Sequence, residues 1–305
     1  MLCFGECGET MSEHKNFGKN VVDPLHLKSP ARITLSLDIV KKLPNNLHVL
    51  QIIKQTINLC DDIEIKDAED TRVIYDNTPV ANDIVVKMIK LLKKTCKIQK
   101  NVHVFIKKNI PLGSGLAGGS SNATAVLKAL KHHWNLNKTN AELMTLARRI
   151  GQDCPYFVLG GTCYDTEAGL DLKQLPPLPA YHLLLVYPGF TSSTAEAYSL
   201  IDYDEINQHQ SSIHFVLNYA KKDFDLTKYM HNDFEAVVFK RHPQLREIKE
   251  ELQGYGVPAM MTGSGSTVFA LSPDEKKLKA IYKTIKNKYT WVHLCTTAPT
   301  IESIV

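Results

Sequence analysis

The sequence predicts an α+β protein of two domains. Segments of period-two alternation and segments of helical spacing follow one another without a regular βαβ rhythm, so two mixed layers are expected rather than a doubly wound sheet. The length of 305 residues exceeds what one domain usually holds. Just past the middle, "LDLKQLPPLPA" carries Pro176, Pro177 and Pro179, which cannot all sit in regular structure. The chain is therefore divided into a leader over 1–26, a first domain over 27–175 and a second over 176–305. The leader holds Glu6, Glu9, Glu13 and Asp23 and no apolar stretch, so it reads as a mobile segment and not as a secretory signal or transit peptide.

The elements follow in order. "ARITLSLDIV" (Ala31 to Val40) alternates like a strand, and "LHVLQIIKQTINL" and "DIEIKD" read as two further strands parted by an acidic turn at Asp61-Asp62. "NDIVVKMIKLLKKTC" sets Ile84, Val85, Met88, Leu91 and Leu92 at helical spacing, with Asn82 as the N-cap. Alternation resumes at Val102, Val104 and Ile106. A glycine-serine loop and a helix beginning near Ser120 come next, and "NAELMTLARRIG" is a helix with Gly151 as its C-cap. In the second half "YHLLLVYPG" reads as a strand, "STAEAYSLI" and "HPQLREIKEELQGYG" as helices, and "PAMMTGSGSTVFALS" and "WVHLCTT" as strand-bearing runs.

Composition excludes several functions. The 36 basic and 32 acidic side chains are mixed along the chain, so no basic tract points to nucleic acid, while a small acidic substrate is compatible with the formal charge of +4. No apolar run approaches the ~18 residues of a membrane span. Seven cysteines form neither a CxxC pair nor a ligand-spaced set, which supports neither zinc nor a disulfide framework and fits a reducing cytoplasm.

The most informative stretch is "IPLGSGLAGGSSNATAVLKAL" (Ile110 to Leu130). Gly113, Gly115 and Gly118 satisfy G-x-G-x-x-G, but the loop follows several strands and no acid stands at 130–138, against a dinucleotide fingerprint. A Walker A loop requires a lysine that is missing between Gly113 and Val126. What remains is physical. Glycines let an anion approach the backbone, and a helix N-terminus offers free N–H groups and a positive dipole end, so the loop suits phosphate. Ser120 and Ser121 add hydroxyls, although either also fits as an ordinary N-cap.

These residues resemble the central glycine-rich motif of the GHMP kinase superfamily, and their Gly-Leu-x-Gly-Gly-Ser-Ser-Asn-Ala form is similar to the branch that phosphorylates 4-diphosphocytidyl-2-C-methyl-D-erythritol in isoprenoid precursor synthesis. "PARITLSL", "NDIVVKMIKLL", "IGQDCPYFVLGG", "YPGFTSST" and "MTGSGSTVFAL" extend the resemblance over about residues 28–295, leaving 203–230 and the leader unmatched. It implies a ribosomal-S5-like N-terminal domain, a ferredoxin-like C-terminal domain and a site between them. ATP would be the donor, magnesium is expected with it, and its ligands are not named by the sequence. Asp153 matches the catalytic aspartate. Arg32 stands where the family usually has lysine, and Thr34 where it has asparagine. Asn82, Gly113, Gly115, Gly118, Gly119, Ser120 and Ser121 would hold the nucleotide. His48, Thr194, Tyr198, Gly263, Ser264 and Gly265 would bind a cytidyl-alcohol substrate. The family's stacking ring beside the histidine falls on Leu47, so one face of the base clamp is lost. Two alternatives stay open: a GHMP kinase for a different small alcohol, and a non-catalytic nucleotide-binding relative.

Overall fold

Alternation becomes sheet and helical spacing becomes helix in the computed structural model, which describes residues 23–42, 48–166, 171–203, 206, 210–221 and 223–301. In the first half the elements are β1 (Leu25–Lys42), β2 (His48–Ala68), β3 (Arg72–Tyr75), β4 (Thr78–Val80), α1 (Ile84–Cys96), β5 (Asn101–Lys107), α2 (Gly118–His133), α3 (Asn140–Arg148), α4 (Tyr156–Leu159), β6 (Thr162–Thr166) and β7 (Asp171–Gln174). Past the three prolines, which lie outside any strand or helix, come β8 (His182–Tyr187), α5 (Thr194–Ser199), α6 (Ser211–Asn218), a 3-10 turn (Leu226–Tyr229), β9 (His231–Asn232), α7 (Phe234–Arg241), α8 (Pro243–Gly254), β10 (Ala259–Met261), β11 (Val268–Ser272), α9 (Glu275–Ile285) and β12 (Trp291–Thr296). An eight-stranded sheet runs β4-β3-β5-β2-β1-β9, with β6 added to β2 and β7 to β6; a four-stranded antiparallel sheet runs β10-β11-β8-β12. The architecture is two-domain α+β. No helix among the described residues is long and apolar enough to cross a membrane.

Sheet and helices meet over apolar side chains. Ile63, Val104 and Ile106 pack against Met88 and Ile89 of α1 and Val126 and Leu127 of α2. Ten of the sixteen residues of α2 are buried, so this helix is central, and its small side chains let it lie close to its neighbours. Between the two sheets, Ile33, Leu35 and Ile53 of the first half pack on Leu183, Leu185 and Phe269 of the second.

Irregular pairing of β1 with β2 positions the site. The register shifts between Pro30 and Arg32 and again between Thr34 and Ser36. In the regular stretch between these shifts the Arg32 N–H goes to the carbonyl of Leu116 (3.1 Å), and the Thr34 N–H to Thr262 Oγ1 (2.9 Å). One bond draws in the glycine-serine loop and the other draws in the second domain.

Several expectations are corrected. Leu25 and His26 belong to β1 and not to the leader; the leader's residues 1–22 lie outside the described residues. The Asp61-Asp62 turn does not exist. β2 runs through it, because Asp61 is fully buried and used: Oδ1 accepts the N–H groups of Asn109 and Ile110 (both 2.8 Å) and Oδ2 pairs with Lys108. The N-cap of α1 is Asp83, whose carboxylate accepts the Val86 N–H (2.8 Å), and not Asn82. Helix α2 starts at Gly118 behind Ala117, which is left-handed at φ 59°, so neither Ser120 nor Ser121 is its cap. Arg149, not Gly151, closes α3.

Asp61 anchors the approach to the loop from within. Asp61→Ala would leave two N–H groups and the Lys108 ammonium without their partner, and the expected loss of unfolding free energy is about 3 kcal/mol. Urea denaturation monitored by circular dichroism checks this; a loss well under 1 kcal/mol refutes the anchoring role.

Candidate active site

The glycine-serine loop and the start of α2 form one wall of a cavity of ≈ 360 Å³, lined among others by Arg32, Ile84, Lys108, Gly113 to Gly115, Gly118 to Ser120, Asp153, Thr194 and Ser264. The first turn of a helix has N–H groups without intrahelical partners, and no side chain caps this one. The wall thus presents backbone donors, the positive dipole end of a sixteen-residue helix and the Lys108 and Arg32 cations, a surface matched to a polyphosphate. Gly115, at φ +81°, has no room for a side chain: a Cβ would lie 2.5 Å from the Gly265 carbonyl oxygen. It lets the loop close against the second domain. At Gly118 a Cβ would lie 2.9 Å from Ile110 Cγ2 and 3.2 Å from Lys108 Nζ.

Asp153 sits at the far end of this wall, held by two cations. Oδ2 accepts a hydrogen bond from Arg32 Nη2 at 2.6 Å, and Oδ1 from Lys54 Nζ at 2.9 Å. Arg32 also donates through Nη1 to the Gly115 carbonyl at 2.8 Å, and its Nε, buried, has no hydrogen-bond partner among the described residues. Lys54 Nζ makes a further ion pair with Asp165 Oδ2 at 2.5 Å. Burial would raise the Asp153 carboxyl, but the Arg32 and Lys54 charges outweigh it and hold it well below the usual carboxylate range. For Lys54, burial pulls the ammonium down, and the carboxylates of Asp153 and Asp165 more than reverse this. Both groups are ionised at neutral pH.

A second cavity of ≈ 300 Å³ opens on the other side of Asp153, lined by Lys54 and Asp165, the apolar Leu37, Leu50, Ile52, Tyr198 and Phe234, and Gly263. Arg32, Ser120, Asp153, Thr194 and Ser264 line both cavities. Thr194 Oγ1 and Ser264 Oγ share a hydrogen bond of 2.7 Å. The Tyr198 ring stacks on His48 at a centroid distance of 4.3 Å and an interplanar angle of 16°. Burial and the nearby Lys42 pull the His48 pKa below its ordinary value, which favours a neutral imidazole able to donate and accept.

The expected residues therefore converge, with exceptions. Arg32, Gly113, Gly115, Gly118, Gly119, Ser120, Asp153, Thr194, Gly263, Ser264 and Gly265 line one or both cavities, Tyr198 lines the second, and His48 joins through Tyr198. Ser121 does not face the cleft: it is buried, and its hydroxyl donates to the Pro30 carbonyl (2.6 Å) and accepts from Ser29 (2.7 Å). Asn82 is exposed and lines neither cavity; Ile84, two residues on, lines the first. Leu47 lies outside the described residues. Lys54 and Asp165 were missed. The available signal was a lysine in period-two register with Leu50 and Ile52, on the face of the strand that those residues mark as buried.

Magnesium carried in on a nucleotide needs few protein ligands; both Asp153 oxygens are already paired with cations, and Ser120 lines both cavities as one neutral oxygen donor of the kind it could take. Among the described residues the one cluster with metal-ligand chemistry is Asp38, His231 and Asp233, and its oxygens have other work. Asp38 accepts the N–H groups of Ser211 and Ser212 at the start of α6, while Asp233 accepts the Ile39 N–H and pairs with His231.

A glycine loop feeding a helix N-terminus and a paired aspartate thus face one cleft between two α+β domains, an arrangement suited to moving a phosphoryl group. Residues 83–161 match the GHMP kinases N terminal domain, and residues 221–290 match GHMP kinases C terminal. The chain is 37% identical over 280 residues to a 4-diphosphocytidyl-2-C-methyl-D-erythritol kinase of Clostridium tetani, covering 90% of this chain and 100% of that one. It is 37% identical over 269 residues to the enzyme so named from a Geobacillus species, covering 86% and 93%. It belongs to the GHMP kinases, in the family of the 4-diphosphocytidyl-2-C-methyl-D-erythritol kinases. The fold is shared with a crystal structure of a 4-(cytidine 5'-diphospho)-2C-methyl-D-erythritol kinase (TM-score 0.74, 22% identity, 90% of this chain and 99% of that one). It is shared equally with homoserine kinase from Cytophaga hutchinsonii (TM-score 0.73, 16% identity, 99% of both chains).

The packing at Gly118 makes the nucleotide wall testable. Gly118→Val drives a branched side chain against Ile110 and Lys108 and displaces the first turn of α2, so ATP affinity is expected to fall by at least ~10-fold, about 1.4 kcal/mol, in a folded protein. Calorimetric titration with ATP measures it, and an unchanged affinity refutes the assignment of this wall.

Proposed function

We propose that this protein transfers the γ-phosphoryl group of ATP to the free hydroxyl of 4-diphosphocytidyl-2-C-methyl-D-erythritol. One observation carries the reading: Asp153 stands where two cavities meet, one walled by the loop and the start of α2, the other walled by Leu37, Leu50, Ile52, Tyr198 and Phe234. A polyphosphate in the first and an alcohol in the second would bring their reacting ends together at this carboxylate.

As a GHMP kinase the protein is a small-molecule kinase that uses ATP. Phosphoryl transfer asks for positioning and charge stabilisation more than for covalent help. The backbone N–H groups of Gly118 to Ser120, with Lys108, would hold the triphosphate, and Arg32 would stabilise charge on the transferring group. Ser120 would contribute to holding magnesium, which when bound neutralises charge between the β- and γ-phosphates. Asp153 would accept the hydroxyl hydrogen bond and take its proton. A carboxylate this far below its ordinary pKa is a weak base, which suits a transition state in which the nucleophile loses its proton late. Tyr198, which lines the second cavity, would stack on the cytosine, and His48, stacked on that ring in this structure, would turn to hydrogen-bond the edge of the base.

Purified protein assayed for ADP release should turn over the cytidyl substrate in preference to a panel of small alcohols; turnover of another alcohol instead moves the assignment to a changed-substrate kinase, and no turnover of any moves it to a nucleotide-binding relative. Asp153→Asn keeps size and loses the acceptor, and kcat is expected to fall by ~10² or more with ATP affinity nearly unchanged. Parent-like turnover would return Asp153 to a structural role. Tyr198→Ala should raise the KM for the cytidyl substrate about tenfold while kcat stays within about twofold, because stacking is remote from the phosphoryl group. A fall in kcat with unchanged KM contradicts the base-binding role.

A further inference from the structure

Lys54 lies on β2 directly across from Thr34 of β1, and cross-strand partners share a face of the sheet. That face is the one from which Arg32, two residues before Thr34, reaches Asp153. Lys54 is only 4% exposed and Asp165 only 1%, so neither charge is solvated and each depends on its partners. Its ammonium spans two carboxylates, Asp165 at 2.5 Å and Asp153 at 2.9 Å. The Tyr156 ring lies 5.9 Å from it.

From this geometry we infer that Lys54, anchored by Asp165, is a positioning residue for the reaction: it fixes the plane of the Asp153 carboxylate and keeps that carboxylate ionised. The inference rests on the reading of Asp153 as the acceptor of the substrate proton. A carboxylate oxygen has two lone pairs. With Oδ2 committed to Arg32 and Oδ1 to Lys54, the group cannot rotate, and one lone pair on each oxygen remains for the incoming hydroxyl. Arg32 alone would leave Asp153 pivoting about one oxygen, since Arg32 is itself tied to the Gly115 carbonyl. Asp165 makes the arrangement affordable by neutralising Lys54, so that Arg32, Lys54, Asp153 and Asp165 together carry no net charge. The other titratable side chains around the cluster, Cys154, Tyr156, Cys163 and Tyr198, are all held neutral at physiological pH by burial. The ionisation of Asp153 therefore answers chiefly to Arg32 and Lys54.

The test uses the full-length protein and two variants, Lys54→Met, which keeps the length of the stem, and Lys54→Met/Asp165→Asn, which removes both charges of the buried pair and so strands neither, with folding of each checked by circular dichroism. In each, kcat and KM are measured against pH, and the side-chain carboxyl of Asp153 is titrated by NMR with 13C-labelled aspartate and no substrate, assigned with Asp153→Asn. The expected result is a kcat lower by at least ~10-fold with the KM for ATP within about twofold. The acid limb of kcat and the NMR midpoint of Asp153 should both move up by about one pH unit or more, the scale for loss of one adjacent opposite charge. Parent-like kcat and an unmoved midpoint in the folded double variant overturn the inference, as does a defect confined to KM. The NMR midpoint is read without any acceptor, so it stands whichever alcohol the parent enzyme phosphorylates; failure of the parent on the cytidyl substrate would count against the substrate and not against Lys54.

Discussion

The clamp on Asp153 is the constraint to which the rest of this structure answers. One carboxylate oxygen goes to a guanidinium on β1 and the other to an ammonium on β2, and the aspartate itself comes from the loop between α3 and α4. Three segments distant in sequence are tied by a set of charges in which Arg32 and Lys54 are buried while Asp153, 25% exposed, opens on the cleft. Removing one member of such a set costs about 3–5 kcal/mol, because it strands the others in a low-dielectric interior. Between two register shifts of β1, Arg32 and Thr34 pair regularly with Thr56 and Lys54, and their N–H groups reach the Leu116 carbonyl and Thr262 Oγ1, so that the strand carrying the cation also fastens the glycine-serine loop and the second domain.

The glycines of the loop divide their work by position. Gly113 and Gly115 have positive φ and pack against Thr191 and Gly265 of the second domain, at separations that leave no space for a side chain. Gly118 and Gly119 open α2, where an uncapped first turn keeps its donors directed at the cleft. Rigidity on one side and free donors on the other are compatible because the buried Asp61 pins the start of the loop through Asn109, Ile110 and Lys108. The loop is held at its entrance, at its middle and at its junction with the helix.

Much of this was legible in the sequence, and the parts that were not share a cause. The strands and the helix after the loop follow from periodicity and from local residue order, which a single chain displays, and Asp153 is singled out by the resemblance of "GQDCP" to a family motif. Lys54 and Asp165 do not: their partnership is fixed by the pairing of β2 with β1 and β6, and sequence shows register only after the fold is known. Asp61-Asp62 has turn composition, yet the tertiary demand of two unpaired N–H groups and a lysine overrides it. Ser120 and Ser121 look equivalent in sequence, but neighbours on a helix point about 100° apart, so one lines the cleft and the other ties α2 to Pro30. The lysine that the resemblance places at position 32 is an arginine here, and the ammonium beside Asp153 is supplied from the opposite strand.

Charge accounting links this arrangement to catalysis. In its resting form the cluster of Arg32, Lys54, Asp153 and Asp165 is neutral. On the proposed role Asp153 would take the hydroxyl proton late, and the cluster would turn net positive only as that proton arrives, at the point where the two cavities meet. Arg32 would then face the product phosphate less compensated than before. Rate enhancement on this reading would come from donors already in place in the resting cleft, the Arg32 guanidinium and the start of α2, aimed at charge on the transferring group. The tyrosine, leucine and isoleucine side chains of the second cavity carry no charge, so on the proposed function they would contribute recognition only. The two tasks would thereby be separated across Asp153: base recognition by apolar packing on one side, and charge stabilisation by Arg32 and a helix N-terminus on the other.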